Sequence, residues 1–148
     1  MKTELKIRRL NPNAVLPAYQ TEGSAAMDLR ACLDAPVTLG AGERKLIPTG
    51  LAIELPNAEY VAILCARSGL AFKSGIALAN GIGVIDSDYR GEIGVALLNQ
   101  SGADYTVQSG DRIAQLMILP VAIAKITEVA ALGETERGAG GFGSTGKA

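Results

Sequence analysis

Glycine and proline punctuate this chain so often that no long helix can form in it. Eighteen glycines and six prolines are spread along 148 residues, with short apolar runs between them. Glycine loses the most freedom on ordering and proline removes a backbone donor, so both mark turns rather than helix interiors. The runs between them are strand-sized. Residues 4–9, 28–33, 45–55, 60–66, 76–79, 92–99, 104–107, 111–119 and 121–129 read as strands. Ile93, Val95 and Leu97 alternate as a half-buried strand requires. In 111–119 both alternating sets are apolar: Ile113, Met117 and Leu119 on one, Ala114, Leu116 and Ile118 on the other. Such a strand is expected to be covered on both faces, in a sandwich core or at a subunit contact. Residues 68–73 are the one short helix expected. The fold class that follows is all-β, a jelly-roll-like sandwich or barrel, whose sheet edges need covering.

A chain of this length forms one compact domain, and its 48% of hydrophobic residues supply a core. Aromatics are 4% and tryptophan is absent, so valine, isoleucine, leucine and alanine must do the packing. Near Gly133 the apolar residues thin out. The chain therefore divides into a core, 1–133, and a glycine-rich arm, 134–148. The net charge of −1 argues against broad electrostatic capture of nucleic acid or an anionic membrane, so any anion site must be local. The first residues lack a signal peptide's apolar stretch and no segment is long enough to span a bilayer, so a soluble cytoplasmic protein is expected. Cys32 and Cys65 each sit in an apolar run and form no Cys-x-x-Cys pair, which reads as two buried free thiols.

The chain contains no histidine. That excludes histidine-based triads, histidine zinc sites and imidazole general bases. Acid–base work falls to Asp, Glu, Tyr or Lys. A metal, if used, should be a hard ion such as Mg²⁺ held by oxygens.

Four internal clusters and the C-terminal segment carry polar groups suited to chemistry. The densest is Asn80-Gly-Ile-Gly-Val-Ile-Asp-Ser-Asp-Tyr-Arg-Gly-Glu92. Residues 86–91 read as a turn, and a hairpin here would offer backbone groups able to read the edge of a base. Asn80 adds an amide and Tyr89 a ring for a sugar or base. Asp86 either orients a water or, like Asp88, bonds turn amides. Arg67-Ser68-Gly69 follows an apolar strand and opens the short helix. It suits phosphate, or else Ser68 caps the helix and Arg67 makes a surface ion pair. In Gly110-Asp111-Arg112-Ile113-Ala114-Gln115, the Gln115 amide needs a structural or a ligand partner, while Asp111 and Arg112 read as ordinary turn and strand-edge charges. Asp28 follows the small residues Ser24-Ala-Ala. It either holds a metal's water shell or pairs with a basic neighbour. Finally, residues 137–146, Arg-Gly-Ala-Gly-Gly-Phe-Gly-Ser-Thr-Gly, place five glycines in ten positions. Such a segment cannot pack a core, yet Arg137, Phe142, Ser144 and Thr145 suit a phosphorylated ligand with a flat base. It reads as a clamp that a ligand orders.

These five segments, in this order, resemble the five motifs of the homotrimeric dUTPase family, nucleotidohydrolases that release dUMP and pyrophosphate from dUTP. The likeness runs from about Ala25 to Gly146. Gly83-Val-Ile-Asp-Ser-Asp-Tyr-Arg-Gly91 and Arg137-Gly-Ala-Gly-Gly-Phe-Gly-Ser144 carry it most specifically. Ala26, Met27 and Ala66 depart from the residues usual in the family, and none of them removes a reacting group.

The resemblance implies a jelly-roll-like subunit in a homotrimer, with each active site shared between subunits. It implies that Asp86 activates the attacking water and that Tyr89 stacks on the deoxyribose and excludes a 2′-hydroxyl. Asn80 and the backbone at Gly83, Val84 and Ile85 would read uracil. Arg67, Ser68, Gly69 and Gln115 would bind the triphosphate. Phe142 and Gly143 would close over the base, while Arg137, Ser144 and Thr145 would reach the outer phosphates. Mg²⁺ would be held mainly by the phosphates, with Asp28 touching it through water. The implied role is to limit uracil entry into DNA and to supply dUMP for thymidylate. A dCTP deaminase-like enzyme of the same fold, or a non-catalytic nucleotide-sensing module, are the alternatives.

Overall fold

The computed structural model describes residues 3–141. It contains β1 (Lys6–Arg9), β2 (Met27–Arg30), β3 (Val37–Leu39), β4 (Arg44–Pro48), β5 (Leu51–Glu54), β6 (Tyr60–Cys65), α1 (Ser68–Ser74), β7 (Ile76–Leu78), β8 (Gly83–Ile85), β9 (Gly94–Asn99), β10 (Tyr105–Val107) and β11 (Arg112–Pro120). Every ladder is antiparallel. A four-stranded sheet runs β2-β11-β6-β8 and a three-stranded sheet runs β4-β9-β7. The pairs β1-β5 and β10-β3 complete the subunit. The all-β, jelly-roll-like expectation is met, with one short helix.

The core lies between the sheets and is built almost wholly of aliphatics, including Leu29, Leu39, Ile47, Leu51, Val95, Leu97 and Leu116. Each such side chain contributes about 1.5–3 kcal/mol on burial. The buried Asn99 is fully served. Its amide donates to the carbonyls of Leu39 (2.9 Å) and Ala103 (2.7 Å), and its Oδ1 accepts from the Ser101 amide and hydroxyl. Both cysteines are free. Cys32 is buried, and that burial, with Glu92 and Asp34 adding to it, pushes its thiol pKa up.

Four features differ from the sequence reading. Residues 45–55 are two strands, because Gly50 breaks them with φ +67° while packed so closely on Ala14 and Cys32 that a Cβ would clash. Both β3 and β8 were absent from the sequence reading. No strand occurs over 121–129, where all side chains are exposed and no ladder partner is present. Lastly, β11 carries a bulge. Arg112 pairs with Arg30 and Ala114 with Leu29, leaving Ile113 as an extra residue. Ile113 and Ala114 are therefore both buried, and the strict alternation expected through 111–119 breaks there. Beyond the bulge Ala114 and Leu116 face the core, while Met117 is half-buried and Leu119 is 38% exposed.

Candidate active site

The stretch from β7 to β9 builds a cleft. After Leu78 the chain turns through 79–82, with Gly81 N–H bonded to the Leu78 carbonyl and Ile82 N–H to that of Asn80. It then enters β8, which among the described residues pairs only with β6 and so forms the rim of its sheet. Strand β9, in contrast, lies between β4 and β7 in the other sheet. The expected hairpin is thus absent. The strands on either side of residues 86–91 diverge into different sheets, and the cleft opens where they part. It has a volume of about 220 Å³ and is lined by Asn80, Gly83, Val84, Ile85, Asp86 and Tyr89, with Leu64, Glu92, Ile93 and Gly94 behind. Along β8 the outer edge keeps its N–H and C=O groups out of any ladder. Unpaired main-chain donors and acceptors on a rigid strand can match the edge of a planar base.

Two glycines shape this cleft. At Gly83 a Cβ would lie 2.9 Å from the Leu64 Cβ, so only glycine lets β8 sit this close to β6. At Gly91 a Cβ would overlap the Tyr89 phenol ring. The phenol donates to the Glu92 carbonyl at 3.0 Å. Glu92 is held in turn: its Oε1 accepts from Gly50 N–H at 2.7 Å, and the neighbouring Ile93 carbonyl accepts from the Thr49 hydroxyl at 2.7 Å. The Gly50 corner therefore anchors the segment that carries Tyr89. Asp86 is exposed at the mouth, and its carbonyl accepts from Tyr89 N–H.

A second group sits at the far end of the four-stranded sheet. Asp28 is 5% exposed. Its Oδ2 lies 3.1 Å from Arg112 Nη1, and its Oδ1 lies 3.4 Å from both Arg67 Nε and Gln115 Nε2. Arg67 Nη1 also donates to the Arg112 carbonyl at 3.0 Å. Arg67 is therefore not a surface ion pair with a capping serine beside it. Arg67 itself is the N-cap of α1, no side chain caps the helix, and its guanidinium turns inward to a buried carboxylate. Ser68 and Gly69 form the exposed first turn, whose amides have no acceptor within a helix. Nearby, burial pushes the Tyr105 phenol pKa up, with Asp111 adding to the effect and Arg67 opposing it.

The two groups do not meet within one chain. Ile85 pairs with Ala62, five positions before Arg67 on the β6 side. Asp86 lies one residue further away again. At about 3.3 Å per residue this puts Asp86 and Arg67 on the order of 17–20 Å apart.

Sequence reasoning took Arg112 for an ordinary strand-edge charge and passed over Glu92 and Gly91. The adjacent apolar pair Ile113-Ala114 inside an alternating strand was the available signal for the bulge that places Arg112. Nothing local marked Glu92, because its partner is Gly50, 42 residues away. Arg137 is exposed, and its carbonyl closes a turn to Gly140 N–H. Phe142, Gly143, Ser144 and Thr145 lie outside the described residues. Among the described residues no three Asp, Glu, Cys or His side chains come together as a metal site, and no helix is long and apolar enough to cross a membrane.

Comparison with known proteins agrees with this geometry. The dUTPase family profile matches residues 12–146. The deoxyuridine 5′-triphosphate nucleotidohydrolase of Burkholderia multivorans is 50% identical over 147 residues, 99% of each chain, and that of Burkholderia mallei matches equally well. Among solved structures, a variant of the Staphylococcus bacteriophage 80alpha dUTPase with dUpNHpp superposes with a TM-score of 0.90 at 26% identity, covering 99% of this chain and 100% of that one. A mutant of the dUTPase from phage phi11 of S. aureus, described with a structural Mg(II) ion, superposes with a TM-score of 0.80 at 24% identity, over 88% of this chain and 99% of that one.

Proposed function

The chain belongs to the dUTPase family and is a dUTP nucleotidohydrolase; we propose that it releases dUMP and pyrophosphate by in-line attack of water on the α-phosphorus, at sites shared between the subunits of a homotrimer. The observation that carries the reading is the cleft, where Asn80, the free edge of β8, Tyr89 and Asp86 line one cavity.

Each residue has a physical task. The edge at Gly83, Val84 and Ile85 and the Asn80 amide bond the polar rim of uracil. Cytosine would leave those groups mismatched, which discriminates strongly. The Tyr89 ring packs on the deoxyribose and leaves no room for a 2′-hydroxyl. Asp86, at the mouth, aims a water at the α-phosphorus and accepts its proton. A carboxylate is an intrinsically weak base, so positioning supplies as much as proton transfer. Arg67, Ser68, Gly69 and Gln115 donate to the phosphates, where charge develops as pyrophosphate leaves. Arg137, Phe142, Gly143, Ser144 and Thr145 close over the ligand and exclude water.

Subunit sharing is supported by the distance between Arg67 and Asp86, since one chain leaves its water-aiming group far from its guanidinium. It is also supported by exposed apolar side chains after β11, with Ile123, Ile126 and Leu132 each more than 70% exposed. Such a surface needs cover.

The donor set fits a metal brought by the substrate rather than one held in a protein cage, because both oxygens of Asp28 already face nitrogen donors. A Mg²⁺ ion held mainly by the substrate's phosphates would supply charge neutralisation on the leaving group. Asp28 would meet only its water shell. A cytoplasmic site of action suits the two free thiols. The reaction removes dUTP, a source of uracil in DNA, and yields dUMP for thymidylate.

The test is pyrophosphate release from dUTP with Mg²⁺, run beside ammonia release from dCTP. Pyrophosphate and dUMP in equal amounts are expected. Ammonia without pyrophosphate would replace this reading by a deaminase.

A further inference from the structure

The bulge in β11 sets which side chains share a face. In an antiparallel ladder directly opposed residues point to the same side. Arg112 opposes Arg30, and Gln115 opposes Asp28. Asp28 and Arg30 are two apart on β2 and share a face, so Arg112 and Gln115 share it too. In a regular strand with no bulge, positions 112 and 115, three apart, would face opposite ways. Bulges commonly re-aim a side chain in this manner.

On that face the charges are unequal. One buried carboxylate, Asp28, is held by two guanidinium groups, Arg112 at 3.1 Å and Arg67 at 3.4 Å, with the Gln115 amide also at 3.4 Å. The backbone carbonyl of Arg112 takes a further bond from Arg67 Nη1 at 3.0 Å. We propose that Arg112 is a positioning residue for the triphosphate: by sharing Asp28, it leaves Arg67 with charge to offer a phosphate and fixes the Arg67 and Gln115 donors in place. The inference rests on the phosphate-binding role proposed above for Arg67 and Gln115.

The physical point is stoichiometry. A lone Arg67 beside a buried Asp28 forms a neutral pair, and the buried anion holds it tightly because an uncompensated buried charge is costly. Adding Arg112 makes the cluster net positive, and a charge-assisted bond from Arg67 to phosphate then competes with a carboxylate that a second guanidinium already shares. The Arg112 side chain is 40% exposed. Removing it opens no buried void and leaves Asp28 paired with Arg67, so the fold should persist.

The experiment compares the wild-type protein with Arg112→Gln and Arg112→Lys. Three quantities are measured: steady-state dUTP hydrolysis, calorimetric affinity for dUpNHpp and for dUMP, and the melting temperature. For Arg112→Gln the expected result is a roughly 10- to 100-fold loss of dUpNHpp affinity and a matching rise in KM. Affinity for dUMP, kcat and melting temperature should stay near wild type, and Arg112→Lys should recover most of the loss. A purely structural role would instead weaken both ligands together or lower the melting temperature enough to explain the loss. Either of those results, or an unchanged ratio of the two affinities, overturns the proposal. Wild-type protein that hydrolyses no dUTP would remove the underlying reading and this one with it. Active wild type with an unchanged ratio removes this one alone.

Discussion

Tyr89 and Gly91 are fitted to each other: the phenol reaches over position 91 to bond the Glu92 carbonyl at 3.0 Å, through space that a Cβ would fill. A single methyl, Gly91→Ala, must therefore swing the ring off its place. The expected result is a loss of up to about 100-fold in kcat/KM for dUTP, as for small misplacements of a positioning group. Selectivity for dUTP over UTP should fall with it. Paired kinetics on the two nucleotides check this, and unchanged selectivity would take Tyr89 out of sugar recognition.

Replacing Asp86 by Asn keeps the shape of the cleft mouth and removes the proposed base. Turnover should fall by at least about 100-fold, while dUpNHpp still binds. Near-normal turnover would show that another group handles the water.

Gly83 tests whether the reading edge depends on close packing. Gly83→Val puts branched carbons against Leu64, whose Cβ already lies 2.9 Å from where a Cβ would stand. Destabilisation of about 1–3 kcal/mol is expected, with loss of uracil-dependent binding. Chemical denaturation and dUMP titration measure the two effects separately.

Truncation after Glu136 should leave the melting temperature unchanged, because the described residues it removes, 137–141, include no buried side chain. Hydrolysis of dUTP should fall greatly. A fully active truncated protein would show that closure by the C-terminal arm is dispensable.

The Lys6–Glu54 pair predicts an acid dependence. A bond and the charge of Lys6 hold the Glu54 carboxyl below the usual glutamate range, and Lys6 is raised by the same partner. A depressed folded-state pKa means stability present above the unfolded value and lost as pH falls through the folded one. Both groups are exposed, so the contribution is small. Carboxyl NMR titration should find Glu54 protonating below the usual glutamate range, and Lys6→Met should move it back toward that range.

Much of this molecule is legible in its sequence where signals are local. Alternation marked β9, the polar start at Ser68 marked α1, and the motif from Asn80 to Tyr89 marked the cleft. The losses occur where a residue's partner is distant. Strands β3 and β8 are three residues each and exist because of β10 and β6. The 121–129 run has strand composition but no partner strand among the described residues. Arg112 looked like an ordinary edge charge because its place depends on a bulge, and a bulge is a property of two strands at once. The separation of Arg67 from Asp86 was likewise invisible until the β6–β8 register was fixed.

That separation reaches beyond geometry into genetics. On the shared-site reading proposed above, a polypeptide that keeps Asp86 at one end of β6 and Arg67 beyond the other is an incomplete catalyst by itself. Two defective versions, one spoiled at each end, would restore some intact centres when co-assembled, so damaged alleles of this enzyme should complement one another instead of failing together.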